Sequence, residues 1–556
     1  MRARRVAILF SILTVWVVTA LVIGLKLSPI DGYKLSPYSF WLLPLLGFGL
    51  IASSIATIFA PKSPARWLLP AFPLVIVALP ILRGYFYFGE GDPLYHLGAV
   101  RQLVEGSLPA EAEFYPALHY LATITLEVTG LEARQSLLLV MVVAFALWIL
   151  AVPLLARAVT GTKLYLGVIA AAALLPITPI STFPRPHPAT AAIFLTPVIL
   201  LPAFLPKISR KQRSVVYVTL FLAAILYHPF VALVTVGMMF VWTNWGIGDS
   251  PSALRPALLV GSIIAVLAWL LHFSQFQGAL VSSIIGILQG SVGADTASRV
   301  GSLQILGLSL VEYVARVGGK YLIFGTLSII AVIASLRRRN WKLVIFTLGS
   351  VPAILGVILF FSTGSIGLWT RIFGLFMLIG TILAAVGASE VGELFGSENS
   401  RIRHTVSALV LVLAVGLALP TILPAPYTLQ ANDQVMESTY SGYHTSFEYG
   451  DDSTPWYEIR SPVRRYHSAI YGPDQTTGME LASGQGRYSR VPDHFNNRSL
   501  DEIEAGYLAT TSADYERDVN LFDGFRYNET DFEYLSSSPC VNKLIDTGGF
   551  SLYRIC

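Results

Sequence analysis

Residues 83–100 read RGYFYFGEGDPLYHLGAV and set Glu90, Asp92 and His96 within seven residues, directly after an apolar segment that ends near Leu82. Two carboxylates separated by one glycine offer general-base chemistry: one takes the proton of an attacking hydroxyl while the other orients the acceptor or supports its partner. Asp92 and His96, four residues apart, would share a helix face and supply two metal ligands. No third ligand stands nearby in the sequence, so no metal is expected to be required, with a divalent ion kept as a second reading. The plain structural alternative is that Asp92 caps a helix whose first residue is Pro93, with Gly89 and Gly91 letting the backbone turn.

Composition dictates the elements that must hold these residues. The chain of 556 residues is 54% hydrophobic and 13% charged, with a mean hydropathy of +0.62. Apolar runs long enough to cross roughly 30 Å of hydrocarbon recur along it, the pattern of a polytopic, all-α membrane protein. Spans are expected near 6–26, 39–60, 67–82, 135–157, 164–179, 188–205, 214–228, 229–245, 256–274, 319–336, 342–362, 370–388 and 405–422, about thirteen helices. The first follows MRARR and is too long for a signal-peptide core, so it is expected to stay as a signal anchor. Basic residues mark cytoplasmic span ends. The clusters Arg2, Arg4 and Arg5, Lys62 and Arg66, Lys207 to Arg213, Arg337 to Arg339, and Arg401 with Arg403 all fall on one side of this count. The N-terminus is then inside, and residues 83–134 form the first large outward loop.

Residues 1–422 are thus expected to form the membrane part, and 423–556 a separate, extracytoplasmic α+β domain rich in Tyr, Ser, Asp and Glu. That tail holds 20 of the 34 acidic and 10 of the 38 basic side chains, so an overall +4 hides a basic membrane body with an acidic tail. Both cysteines lie there. CVNKLIDTGGFSLYRIC reads as two short strands around an Asp-Thr-Gly-Gly turn, which would set Cys540 opposite Cys556. A disulfide is expected in an outside compartment, and two free thiols are the alternative. The sequons at Asn497 and Asn528 agree with an outside location.

An acidic pair at the outer membrane boundary, just after a spanning helix, resembles the motif of the GT-C superfamily of membrane glycosyltransferases. Those enzymes carry an Asp-x-Asp, Glu-x-Asp or similar pair in their first large external loop, and here it reads Glu90-Gly91-Asp92. The resemblance covers roughly the first 420 residues. It departs in that the motif follows the third span rather than the first and that no Trp-Trp-Asp acceptor motif occurs, which favours a monosaccharide donor. It implies an inverting enzyme that moves a sugar, best guess mannose, from a polyprenyl or dolichyl phosphate to a glycan or protein acceptor outside the cell. Among such enzymes the chain is similar to the dolichyl-phosphate-mannose mannosyltransferases of archaea. Asp92 would be the general base and Glu90 its support.

The leaving phosphate gains charge as the anomeric bond breaks, so it calls for fixed cations. Arg371, at the outward start of span twelve, is the first candidate and Arg185, between prolines, the next; Arg316, Lys320 and Arg101 follow. Snorkelling or a rigid turn is the structural alternative for the first two. His96, His187, His228, Tyr115 and His119 are candidate substrate contacts, although His228-Pro229 also reads as a turn and Tyr115 and His119 as interfacial anchors.

A transporter or flippase of lipid-linked or small polar substrates is the rival class. It would place ionisable residues at mid-membrane or break helices in matching halves, whereas here the charges gather at span ends. A surface-assembly scaffold needs far fewer spans. No phosphate-binding glycine loop, dinucleotide fingerprint or zinc spacing appears, and no nucleic-acid surface is indicated.

Overall fold

The structure is a computed structural model. It describes residues 2–27, 32–39, 41–59, 69–108, 113–161, 185–204, 209–244, 256–273, 277, 309–362, 366–395, 400–451, 453–474, 488–497, 500 and 504–556.

In chain order the first part comprises α1 (Arg2–Leu27), α2 (Leu42–Phe59), α3 (Ala71–Leu82), β1 (Tyr87–Phe88), α4 (Asp92–Val104), α5 (Pro116–Thr129), α6 (Ala133–Thr160), α7 (Pro188–Phe204) and α8 (Arg210–Tyr227). It continues with α9 (Pro229–Asn244), α10 (Pro256–His272), α11 (Gly319–Arg337), α12 (Trp341–Leu348), α13 (Val351–Ser362), α14 (Ile366–Phe395) and α15 (Ser400–Ala418). Helices occupy twelve of the thirteen expected spans; the remaining one, 164–179, lies outside the described residues.

Helix is not the same as crossing. Among the described residues four helical stretches, Ala133–Thr160, Gly319–Arg337, Trp341–Ile358 and Ile372–Leu394, are long and apolar enough to cross a membrane. Several other apolar stretches are shorter: α3 has 12 residues and rises only about 18 Å at 1.5 Å per residue. The helices nevertheless turn apolar side chains outward, among them Trp16, Leu150, Ile264, Leu322 and Ile329, an exterior that suits hydrocarbon and not water. Where α11 meets α14 the backbones nearly touch, since a Cβ at Gly387 would lie 1.9 Å from the Leu327 carbonyl oxygen.

The tail folds as β2 (Gln434–Val435), α16 (Glu437–Tyr449), β3 (Trp456–Glu458), α17 (Val463–Tyr471), β4 (Tyr488–Arg490), β5 (Gly506–Thr511), α18 (Glu529–Ser537), β6 (Val541–Asp546) and β7 (Phe550–Ile555). Five strands make one mixed sheet in the order β4-β3-β5-β7-β6, with β3 parallel to β4 and β5 and the rest antiparallel. The expected hairpin is β6–β7. Its turn uses Gly548 at φ 77°, whose N–H donates to Asp546 Oδ1 at 3.0 Å, and a bulge lies between Lys543 and Ile545. Cys540 and Cys556 extend the ladder by one step, the Cys556 N–H donating to the Cys540 carbonyl at 3.1 Å, and both side chains are exposed. Asn528 spends its side-chain oxygen as the cap of α18, accepting from the Asp531 N–H at 3.0 Å.

The tail is not a detached unit. β1 pairs antiparallel with β2, Tyr87 opposite Val435 and Phe88 opposite Gln434. Asn432 binds the Tyr85 hydroxyl and the Lys34 carbonyl through its amide, and its own carbonyl accepts from the Tyr33 hydroxyl at 2.7 Å. The apolar core between the helices runs on into the tail through Val435, Tyr443, Tyr466, Ala469 and Phe550. Composition separates the two parts because the tail's outer surface is polar, yet its inner face is as apolar as the helices it meets.

Candidate active site

Gly89 and Gly91 have φ of 109° and 84°, a region that glycine enters without the Cβ penalty. A Cβ at Gly89 would also lie 2.5 Å from Pro93 Cγ. Gly91 is the N-cap of α4, and the helix begins at Asp92 with Pro93 next, without a side-chain cap bond. The reading of Asp92 as the cap is therefore corrected: the glycine backbone makes the turn, and the carboxylate is left for other contacts.

The two acids then part company. Glu90, with its side chain 10% exposed, points into the tail and meets Arg517 Nη2 at 3.0 Å, with the Ser461 and Tyr466 hydroxyls each at 3.4 Å. Arg517 also faces the buried Asp514, whose oxygens accept from the N–H groups of Arg460, Ser461 and Thr511. Burial pushes the Glu90 carboxyl above its usual range, and the Arg517 charge opposes that shift. Glu90 is an anchor between loop and tail.

Asp92 is 45% exposed, the open member of the pair. Its Oδ1 meets Arg465 Nη2 at 2.7 Å and its Oδ2 lies 3.7 Å from His187 Nε2. His187 first, and then the Arg465 charge, hold its carboxyl well below the usual carboxylate range against the cost of burial. It stands ionised and within reach of solvent.

The histidines gather on the same side. His96 Nδ1 lies 2.9 Å from His119 Nε2, and His119 Nδ1 lies 2.7 Å from Glu113 Oε1, giving a buried hydrogen-bonded chain. The His96 ring meets His187 edge-on at 5.7 Å and Tyr115 at 6.4 Å, and Tyr115 stacks on His228 at 5.2 Å and 6°. Five side chains singled out in the sequence thus converge from α4, α5 and the turns before α7 and α9. Burial, then His119 and His187, push the His96 imidazole far below its usual value, so it is neutral. Asp92 faces a guanidinium, His96 is engaged by His119, and among the described residues no three such ligands are grouped for a metal.

The candidate cations are dispersed. Arg185 lies beside the motif but its guanidinium pairs with the buried Asp433, whose carbonyl accepts from the Gly89 N–H at 2.8 Å. Arg101 is on the opposite face of α4, bound to the Tyr440 hydroxyl at 2.5 Å and the Ala469 carbonyl at 3.1 Å. There it helps line a cavity of about 520 Å³ with Leu97, Val104, Arg134 and Tyr440. Arg316 pairs with Glu312 at 2.5 Å, and Lys320 is buried with Nζ 2.5 Å from Thr421 Oγ1, neither of them at the acidic motif. Arg371 is in α14, and its side chain lies outside the described residues. Reading the sequence missed Arg465, Arg517, Asp433 and Glu113. The one available signal was Arg464-Arg465, the only adjacent basic pair in the acidic tail.

No protein family and no curated protein matches the chain. In backbone course it is similar to ArnT from Cupriavidus metallidurans bound to undecaprenyl phosphate, at 12% identity and a TM-score of 0.46 over 88% of this chain and 97% of that one. The apo state of that protein gives 13% and 0.42 over 86% and 97%. The arabinofuranosyltransferase AftD from Mycobacteria gives 13% and 0.44 over 88% of this chain and 41% of that chain.

Proposed function

We propose that the chain is a membrane glycosyltransferase of the GT-C kind, which transfers a monosaccharide, best guess mannose, from a polyprenyl or dolichyl phosphate to a glycan or glycoprotein acceptor on the outer face of the cell membrane. The observation that carries this reading is the ionised, half-open Asp92 carboxylate at the head of α4, set beside a histidine cluster and a guanidinium. The acceptor oxygen attacks the anomeric carbon from the face opposite the phosphate. The bond from that carbon to the phosphate oxygen breaks with its electron pair going to the phosphate, and the acceptor proton passes to Asp92, so the sugar inverts. The growing phosphate charge is met by fixed cations, with Arg371 of α14 the first choice, and Arg185 the next only where its pair with Asp433 opens. Half-buried Tyr115 is placed to meet the sugar and acceptor, and the buried His96, His119, His187 and His228 back it and Asp92 as a packed polar layer.

The test is mass analysis of surface glycans in a deletion strain that carries the wild-type chain or Asp92→Asn. Glycans shortened by one sugar in the deletion, restored by wild type and not by Asp92→Asn at equal abundance, support the reading. Unchanged glycans in the deletion strain overturn it.

A further inference from the structure

We propose that Arg465, delivered by the tail helix α17, is shared between the base and the donor: it holds Asp92 until the phosphate group of the lipid-linked substrate takes its guanidinium and releases the carboxylate. This rests on the function proposed above and adds to it the order in which the substrates bind.

Among the described residues, three ion pairs join the tail to the segments around the acidic motif. In Arg517–Glu90 the side chains are 15% and 10% exposed, and in Arg185–Asp433 they are 21% and 9% exposed. In Arg465–Asp92 they are 30% and 45% exposed. The first two are closed structural joints, and the third opens to the surroundings. An ion pair that water reaches adds little stability, so an incoming anion competes for it at little cost. A phosphate, with more charge and with oxygens that match the guanidinium fork, competes better than one carboxylate.

The backbone that carries Arg465 does not need to move. α17 is pressed on α4, with a Cβ at Gly98 meeting the Ser468 carbonyl oxygen at 1.9 Å, and Arg101 binds the Ala469 carbonyl. Only the Arg465 side chain has to swing, over the Tyr95 ring whose centroid lies 5.8 Å from its guanidinium carbon. Once the phosphate holds Arg465, Asp92 loses its nearest cation and becomes a stronger base. The acceptor hydroxyl is thereby activated only when the donor is loaded, and the same arginine meets the charge that the leaving phosphate gains.

Binding of a polyprenyl monophosphate to the full-length protein in detergent micelles tests this, with polyprenol as the uncharged control and inorganic phosphate as competitor. Asp92 and the phosphate compete for one guanidinium, so Asp92→Asn should bind the lipid phosphate about three- to tenfold more tightly than wild type. Arg465→Ala should bind about tenfold or more weakly, Arg465→Lys should fall between, and Asp92→Asn should bring no tightening in the Arg465→Ala background. Thermal unfolding of each variant checks folding, and Arg465→Lys, which keeps the charge, serves if Arg465→Ala does not fold. Equal binding by wild type and the Arg465 variants would overturn the inference while leaving the donor reading intact. Wild type that binds no polyprenyl phosphate would overturn both. Displacement by inorganic phosphate at the concentration at which the lipid binds would assign the site to free phosphate and remove the lipid from the proposal.

Discussion

Asp92 and Glu90 differ by one methylene and stand two positions apart, yet they predict opposite phenotypes. Asp92→Asn leaves the start of α4 untouched, because Gly91 and not the carboxylate makes the cap. It should fold with an unchanged melting temperature and lose transfer on the order of 10²-fold or more, measured as turnover of a lipid-linked donor. Glu90→Gln instead leaves Arg517 without its closest acid inside a dry joint. It should cost on the order of 3 kcal/mol of stability, read as a lower melting temperature and faster proteolysis of the tail. Arg371→Ala should raise the donor concentration needed and slow turnover without loss of insertion, with Arg371→Lys recovering part because the fork is lost. Full activity of the alanine variant would leave the phosphate role to Arg465, the cation that meets Asp92.

At the scale of elements, the contact of α4 with α17 hangs on Gly98. Gly98→Ala forces a methyl into the Ser468 carbonyl and should push the helices apart, at about 1–3 kcal/mol, with activity falling further than stability because Arg465 retreats from Asp92. The helical turn Glu516–Leu521 holds a second test. Burial raises the Asp518 carboxyl to about 6, with Arg460 opposing. The folded state binds that proton more tightly than the unfolded one, so this contribution is complete below about pH 4 and is lost as pH rises through about 6, roughly 3 kcal/mol in all. Asp518→Asn should flatten that step in a melting-temperature series against pH. In the β6–β7 hairpin, hydrogen-bonded cross-strand partners have Cα atoms about 5.5 Å apart, a spacing a disulfide spans. Cys540 and Cys556 should therefore resist alkylation until reductant is added, and should then react with a membrane-impermeant maleimide on intact cells. Labelling only after lysis would put the tail inside.

Across the whole molecule, the helical body was legible because apolar run length and helix length obey the same hydrocarbon thickness. The number of crossings was less so, since runs such as 67–82 fold into helices too short to meet the criterion alone. The acidic motif and its histidines were legible as residue types, and the structure brings Asp92, His96, His119 and His187 together. The cap was misread because Asp before Pro looks the same whether Asp or the preceding glycine turns the chain, and only the φ of Gly91 decides. Of the tail's arginines only Arg465 left a trace, in the adjacent pair Arg464-Arg465. β1 and β2 are two residues each, too short to show alternation, and nothing local says that they pair. That pairing also imposes a timetable. A ribosome releases Asp92 373 residues before Arg465 and Glu90 427 residues before Arg517, so the helical body can insert long before its acids meet their partners. On the function proposed above, a truncated or stalled product would carry the whole acidic motif and still be inert, and newly made protein would gain its working site in a final act of self-recognition, when the tail closes on a loop that has waited for it.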